Sequence, residues 1–171
     1  MMNIFGRATI VFAVASFAFA QSPATTESKT INGKAVFIAY ASPKVNGRAG
    51  KLFGADGQIG KDRNYPVWRA GANSATKLHT DADLDLGGLT VPAGDYTLYV
   101  DLSTPDQWTL IVNKKTGQWG LSYDKTADLG RVKMKMAKPA AMVESLKYTL
   151  ADSSLTLEWE NHSGSVSLKV K

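Results

Sequence analysis

The hexapeptide at residues 131–136, Arg-Val-Lys-Met-Lys-Met, places an apolar side chain at every second position and a cation at each position between. An extended strand sorts that pattern cleanly. With a side-chain period of two, Val132, Met134 and Met136 share one face and Arg131, Lys133 and Lys135 the other, whereas a helix would scatter both sets around its circumference. The same alternation returns at 155–160 (Leu-Thr-Leu-Glu-Trp-Glu) and 166–170 (Val-Ser-Leu-Lys-Val). Beyond residue 20 no segment keeps a helical period for three turns. Runs of strand length recur at 34–40, 76–80, 82–86, 96–102, 108–113, 131–136, 143–150, 155–159 and 165–170. Turn signals separate most of them, among them Asn32-Gly33, Gly87-Gly88, Pro92-Ala93-Gly94 and His162-Ser163-Gly164. The expected fold is all-β: a single antiparallel β-sandwich of about nine strands, jelly-roll-like or immunoglobulin-like, over residues 30–171.

The first twenty residues break this pattern. Arg7 precedes a thirteen-residue apolar run, ATIVFAVASFAFA, that ends in Ala18-Phe19-Ala20 before Gln21-Ser22. A charged start, a short apolar centre and small residues at the end form a secretory signal peptide pattern, and the run is shorter than the roughly 20 residues a bilayer span needs. Residues 1–20 are therefore expected to be cleaved. Residues 21–29, rich in Ser, Thr and Pro, are expected to form a disordered leader. The mature chain is expected to be exported, periplasmic or secreted, with no transmembrane segment. The sequence has no cysteine, which removes disulfide scaffolds, thiolate metal sites, cysteine nucleophiles and a lipid-modified N-terminal cysteine together.

One stretch fits no strand. Residues 42–73 contain six glycines and little alternation, and an irregular segment of that length in a compact domain is usually functional or disordered. It is also basic: residues 43–69 carry six cations against two carboxylates, while residues 76–106 carry Lys77 against six aspartates. Mutual attraction of the two segments is expected, with Arg48 and Arg69 pinning the long loop to the sandwich. The same loop is the expected place for a ligand. Arg48, Trp68, Arg69 and Asn73 would line a cleft there, the guanidinium groups forming a fork and the indole a flat wall, with Tyr96 and Trp119 completing it. Trp68 and Trp119 are the tryptophans expected to be partly exposed.

Several strings in and after this loop belong together. They are Ser42-Pro43, Asn46-Gly47-Arg48, Leu52-Phe53-Gly54, Val67-Trp68-Arg69-Ala70-Gly71-Ala72-Asn73-Ser74-Ala75-Thr76, Pro92-Ala93-Gly94 before Tyr96, Trp108 with Val112-Asn113-Lys114, and Trp119-Gly120. Together they resemble a bacterial family of exported domains of unknown function, DUF family 2911, over nearly all of the chain after residue 20. Where that family usually has Glu between the Asn and Ala of the Trp-Arg string, this chain has Ser74, so no acid–base role is carried over to it. The resemblance implies a bacterial, exported setting and no reaction.

The remaining polar constellations do not reach catalytic form. Asp81, Asp83 and Asp85 alternate with Ala82, Leu84 and Leu86, which reads as a strand with a solvated acidic face; an EF-hand loop from Asp81 would need Gly and Glu where Leu86 and Pro92 stand. His79 and His162 lack metal-ligand spacing, so no metal and no cofactor is expected. No nucleophile elbow surrounds a serine. Glu158 and Glu160 are expected on the solvent face of one strand, roughly 6 to 7 Å apart. The basic run Arg131, Lys133, Lys135 and Lys138 contains no aromatic residue for base stacking, and no nucleic-acid partner is expected. The sequence favours a non-catalytic ligand-binding or structural-interaction domain, with a glycan or a small acidic molecule as ligand. The alternative is a hydrolase directed at the cell envelope or a polysaccharide.

Overall fold

The computed structural model describes residues 21–104 and 106–171; the expected signal segment, 1–20, lies outside the described residues. Strands β1 (Ala24–Ile31) and β2 (Lys34–Ala41) form a hairpin closed by Asn32 and Gly33. Their φ values of 52° and 76° are those a two-residue hairpin turn demands, which is why this dipeptide sits there. The pairing runs from Ala24 opposite Ala41 to Ile31 opposite Lys34. Strand β1 corrects the expectation of a disordered leader over 21–29. Its sequence, ATTESKTI, has no apolar alternation, so local pattern gives no sign of a strand. The order comes from the backbone ladder to β2, from the Leu150 N–H donating to Glu27 Oε1 at 3.0 Å, and from the Lys29–Asp152 ion pair at 3.1 Å. Polar side chains suit a strand at a sheet edge.

The chain continues through β3 (Val67–Trp68), β4 (Thr76–Thr80), β5 (Leu84–Leu86), β6 (Leu89–Val91), β7 (Gly94–Thr104), β8 (Gln107–Asn113), β9 (Asp128–Lys133), β10 (Lys135–Ala137), β11 (Val143–Leu150), β12 (Ser154–Glu160) and β13 (His162–Val170). All pairings are antiparallel. One sheet has the order β1-β2-β4-β7-β8-β9, with β3 added on β7, and the other β11-β12-β13-β5-β6, with β10 added on β13; neither closes on itself. The protein is all-β with two antiparallel sheets, and the only helical pieces among the described residues are two 3-10 turns. No helix among the described residues is long and apolar enough to cross a membrane.

The two sheets share one core. Ile38, Leu78, Leu98 and Leu110 of the first sheet and Leu84, Leu155, Leu157 and Leu168 of the second belong to a single buried cluster. The run expected as one strand at 131–136 serves both sheets. Strand β9 pairs with β8 and β10 with β13, and the chain crosses at Met134, whose N–H donates to the Trp108 carbonyl at 2.9 Å. The alternation survives the crossing: Val132 and Met134 are buried while Lys133 and Lys135 are exposed. A second buried patch lies outside the shared core at Tyr99 and Ile111. Segment 114–127 reaches it through Tyr123, edge-on to the Tyr99 ring at 5.0 Å, and Gln118, which donates to the Tyr99 hydroxyl at 3.2 Å.

Candidate functional site

The long loop is held from both sheets. At its start the Ser42 N–H donates to Pro23 O at 2.8 Å and the Ser42 hydroxyl to Leu146 O at 2.6 Å. The Val45 N–H then donates to Glu144 O at 2.8 Å and the Asn46 N–H to Glu144 Oε1 at 2.9 Å, stitching the loop to β11. Bonds from Gln58 and Ile59 back to Lys51 and Leu52 close an inner turn, which leads into the 3-10 turn Ile59–Lys61. Its far end is tied down by β3, where Val67 and Trp68 pair with Asp101 and Val100 of β7. Buried backbone groups need partners, and these bonds supply them, so the loop is ordered although only the two residues of β3 join a sheet ladder, a short strand inside a stretch expected to hold none.

Between its two anchored ends lies a cleft of about 750 Å³. Its lining contains Lys44, Arg48 and Arg69 as cations and Asp62 as the one carboxylate among the described residues, with Leu52, Ile59, Trp68 and Trp159 as its deeply buried members. The two tryptophans belong to an aromatic cluster: Trp68 stacks on Trp159 at 5.9 Å with ring planes 14° apart, and Phe53 meets Trp68 edge-on at 5.4 Å. At 2% exposure Trp68 is a core residue and offers no open indole face, which corrects the expectation of a partly exposed flat wall. Aromatic neighbours on several sides cover it.

The two arginines differ in how they are held. The Arg48 guanidinium donates through Nε to Val45 O at 2.8 Å, through Nη2 to Lys44 O at 2.6 Å, and through Nη1 to Gln58 Oε1. All three acceptors are neutral. They fix the guanidinium plane and use three of its five N–H groups, and no carboxylate among the described residues lies within 4.0 Å of it. Arg69 is paired with Asp62 through Nη2 at 3.4 Å. Both arginines thus find their acceptors inside the loop. That corrects the expected pinning across to the acidic segment: the aspartates of 76–106 have partners outside the loop instead, Asp101 pairing with Arg131 at 2.7 Å and Asp81 accepting from the Ala35 N–H at 3.1 Å. Asp83 accepts from the Ala93 N–H at 2.9 Å, Asp85 from the Gly88 N–H at 2.7 Å, and Asp101 from the Ser103 N–H at 2.8 Å. The strand also begins only at Leu84, so Asp81 and Asp83 lie ahead of it in irregular chain, and the expected solvated strand face is not formed there.

Of the six residues expected to share a site, the structure brings Arg48, Trp68 and Arg69 to the cleft and leaves Asn73, Tyr96 and Trp119 outside its lining. Asn73, at φ 60°, accepts the Gly120 N–H through its carbonyl at 3.0 Å. Tyr96 is buried and donates its hydroxyl to Pro92 O at 2.9 Å. Trp119 is 53% exposed and its backbone bridges Ser74. The Trp-Gly string still bears on the cleft indirectly. A Cβ on Gly120 would sit 2.5 Å from Arg69 Cδ and 2.8 Å from Asn73 O, so only glycine lets this segment lie against the Arg69 stem.

Sequence reasoning missed Trp159, whose alternation marks it as core and nothing more, and the cleft residues Lys44, Gln58 and Asp62, which are legible only as loop charge and polarity. It also misplaced Glu160. Expected on the solvent face, this residue is 2% exposed. It occupies the β12–β13 turn at φ 55°, where the strand alternation ends, and its carboxylate accepts the Gly50 N–H. His162 Nδ1 lies 3.4 Å from the other carboxylate oxygen.

A family model described as a protein of unknown function (DUF2911) matches residues 22–168. The chain belongs to the DUF2911 family. The match runs from the cleft-lining Ser22 through the long loop to β13, so the family domain includes both sheets and nearly all of the cleft. Neither the curated proteins nor the solved structures gave a match to this chain.

Proposed function

We propose that this DUF2911 member is an exported β-sandwich protein, periplasmic or secreted, that binds a small carboxylated ligand in the cleft without transforming it. The observation that carries this reading is the charge imbalance of the lining, centred on Arg48. Three cations face one carboxylate, and Arg48 is oriented by neutral acceptors with two N–H groups to spare. A guanidinium held this way is a preorganised fork for a carboxylate. The burial of Trp68 weighs against a sugar stacked on an indole face. Asp62, paired with Arg69, is the sole lining carboxylate among the described residues, whereas glycoside hydrolysis calls for two. That weighs against the hydrolase alternative.

The test is calorimetry and thermal shift on protein beginning at Gln21, with citrate, succinate and galacturonate set against neutral galactose and cellobiose. The acids are expected to bind and the neutral sugars not to. A ligand at a hundredfold its Kd adds about 2.7 kcal/mol of stability, which a melting curve resolves. Lys44 meets the fold through its backbone bridge to Ser145, so Lys44→Glu is expected to weaken binding with stability unchanged. Neutral sugars binding as well as the acids, or a Lys44→Glu protein with unaltered affinity, overturns the reading.

A further inference from the structure

We propose that the α-amino group exposed at Gln21 when residues 1–20 are removed is itself a ligand-binding cation of the cleft, so that processing of the precursor completes the anion site. This rests on the proposed reading of the cleft and on cleavage between Ala20 and Gln21.

The placement follows from the hairpin and the loop together. The β1–β2 register puts Ala24 opposite Ala41. The next rung is a bond from the Ser42 N–H to Pro23 O at 2.8 Å, so the segment before β1 runs along the first residues of the long loop. Proline fixes its own φ and holds the residue before it extended. Gln21 is thus two residues from an anchored carbonyl, about 7 Å of extended chain at most. Gln21, Ser22 and Pro23 all line the cleft, on the same cavity as Lys44, Arg48 and Arg69.

The chemistry differs between the two forms of the chain. In the precursor the nitrogen of Gln21 is a peptide N–H, neutral and with one donor. After cleavage it is an ammonium with three donors, and in ordinary peptides such a group titrates at about 7.7–8.0. Arginine keeps its charge throughout this range. The α-ammonium therefore loses its charge on going from neutral to mildly alkaline pH. Charge-assisted contact between ammonium and carboxylate contributes roughly tenfold or more in affinity. One reaction would abolish it: attack of the Gln21 amine on its own side-chain amide carbon forms a neutral lactam and releases ammonia.

The experiment compares three forms with intact loop and sheets: the chain beginning at Gln21 with a free amine confirmed by mass, the same chain acetylated at that amine, and a chain carrying a short neutral extension before Gln21. Citrate and succinate are titrated calorimetrically at about pH 6.5 and about pH 9, on either side of the amine's ordinary range. The free-amine form is expected to bind about tenfold or more tightly than the other two at the lower pH, and the gap is expected to close at the higher pH. Melting temperatures without ligand are expected to be the same for all three. Equal affinities at the lower pH overturn the inference while leaving the cleft reading intact. Failure of every form to bind either acid overturns both. Exported protein that begins elsewhere, or that is one ammonia lighter at Gln21, overturns the inference as well.

Discussion

The carboxylate of Glu160 accepts the backbone N–H of Gly50, joining the turn between β12 and β13 to the middle of a loop 110 residues earlier in the chain. The acceptor end of this bond is unusual for its residue type. Glutamate seldom takes a positive φ or full burial, yet Glu160 has φ 55° and is 2% exposed. Its place in the fold explains the exception. The turn aims the carboxylate inward, and Gly50 offers an N–H on a segment that has no strand partner. A carboxylate taken from water in this way must be hydrogen-bonded, and the bond holds the loop that carries Arg48.

Replacing Glu160 by Ala is therefore expected to cost about 1.5–3 kcal/mol, the range for hydrogen bonds to charged groups, with Glu160→Gln costing less because an acceptor carbonyl remains. Urea unfolding measures both. An Ala variant as stable as the parent would show that this bond does not hold the loop.

The fit of Gly120 against the Arg69 stem leads to a second expectation. Gly120→Ala places its Cβ 2.5 Å from Arg69 Cδ and 2.8 Å from the Asn73 carbonyl, so the backbone and the arginine must both shift. A loss of about 1–3 kcal/mol is expected from overpacking, together with weakened citrate binding as Arg69 leaves its place. Retained affinity in the folded variant would separate Arg69 from the site.

Tyr148 ties the shared core to the Trp-Arg string. Its hydroxyl donates to the Ala70 carbonyl at 2.9 Å, and burial holds its pKa well above the ordinary tyrosine value. Tyr148→Phe removes that donor while Thr76 Oγ1 still donates to the same carbonyl at 3.1 Å. A modest loss of about 0.5–1.5 kcal/mol is expected by chemical denaturation. A loss of several kcal/mol would mean that Thr76 does not compensate.

A pH dependence is expected on the first sheet, at His79. Its Nδ1 lies 2.6 Å from Asp95 Oδ1 and its Nε2 3.1 Å from Asp81 Oδ1. The hydrogen bond to Asp95 foremost, then that to Asp81, raises the His79 pKa above 6.5, and the bonds to His79 lower the pKa of both aspartates. A raised histidine favours the folded state fully below the unfolded value of 6.5. That contribution is lost as pH rises through the folded-state value. The aspartates act oppositely: their contribution is present above 3.8 and is lost as pH falls through their lowered values. Melting curves of the parent and of His79→Gln are expected to differ most between these limits and to converge on the alkaline side. A constant difference across that range would rule out titration of His79 as its source.

Much of the fold is legible in local sequence because burial of one strand face imposes a two-residue period. Val132 and Met134 are buried between the exposed cations Arg131, Lys133 and Lys135 as that period requires, Leu155, Leu157 and Trp159 lie in the core, and Asn32-Gly33 turns where its backbone freedom allows. The family is legible too, in strings spread along the chain. What no local pattern carries is which sheet a strand joins, and residues 131–136 serve both. Nor does it carry which polar strand is recruited as an edge, as β1 is by its ladder to β2. The cleft belongs to this second kind. Arg48, Trp68 and Arg69 meet Gln21 and Trp159 there only because two sheets and a long loop are brought together, while Asn73 and Trp119, close to the same string in sequence or motif, lie outside its lining. Period sets the face a side chain takes. Long-range backbone pairing and single buried bonds, such as that from Gly50 to Glu160, set which faces meet.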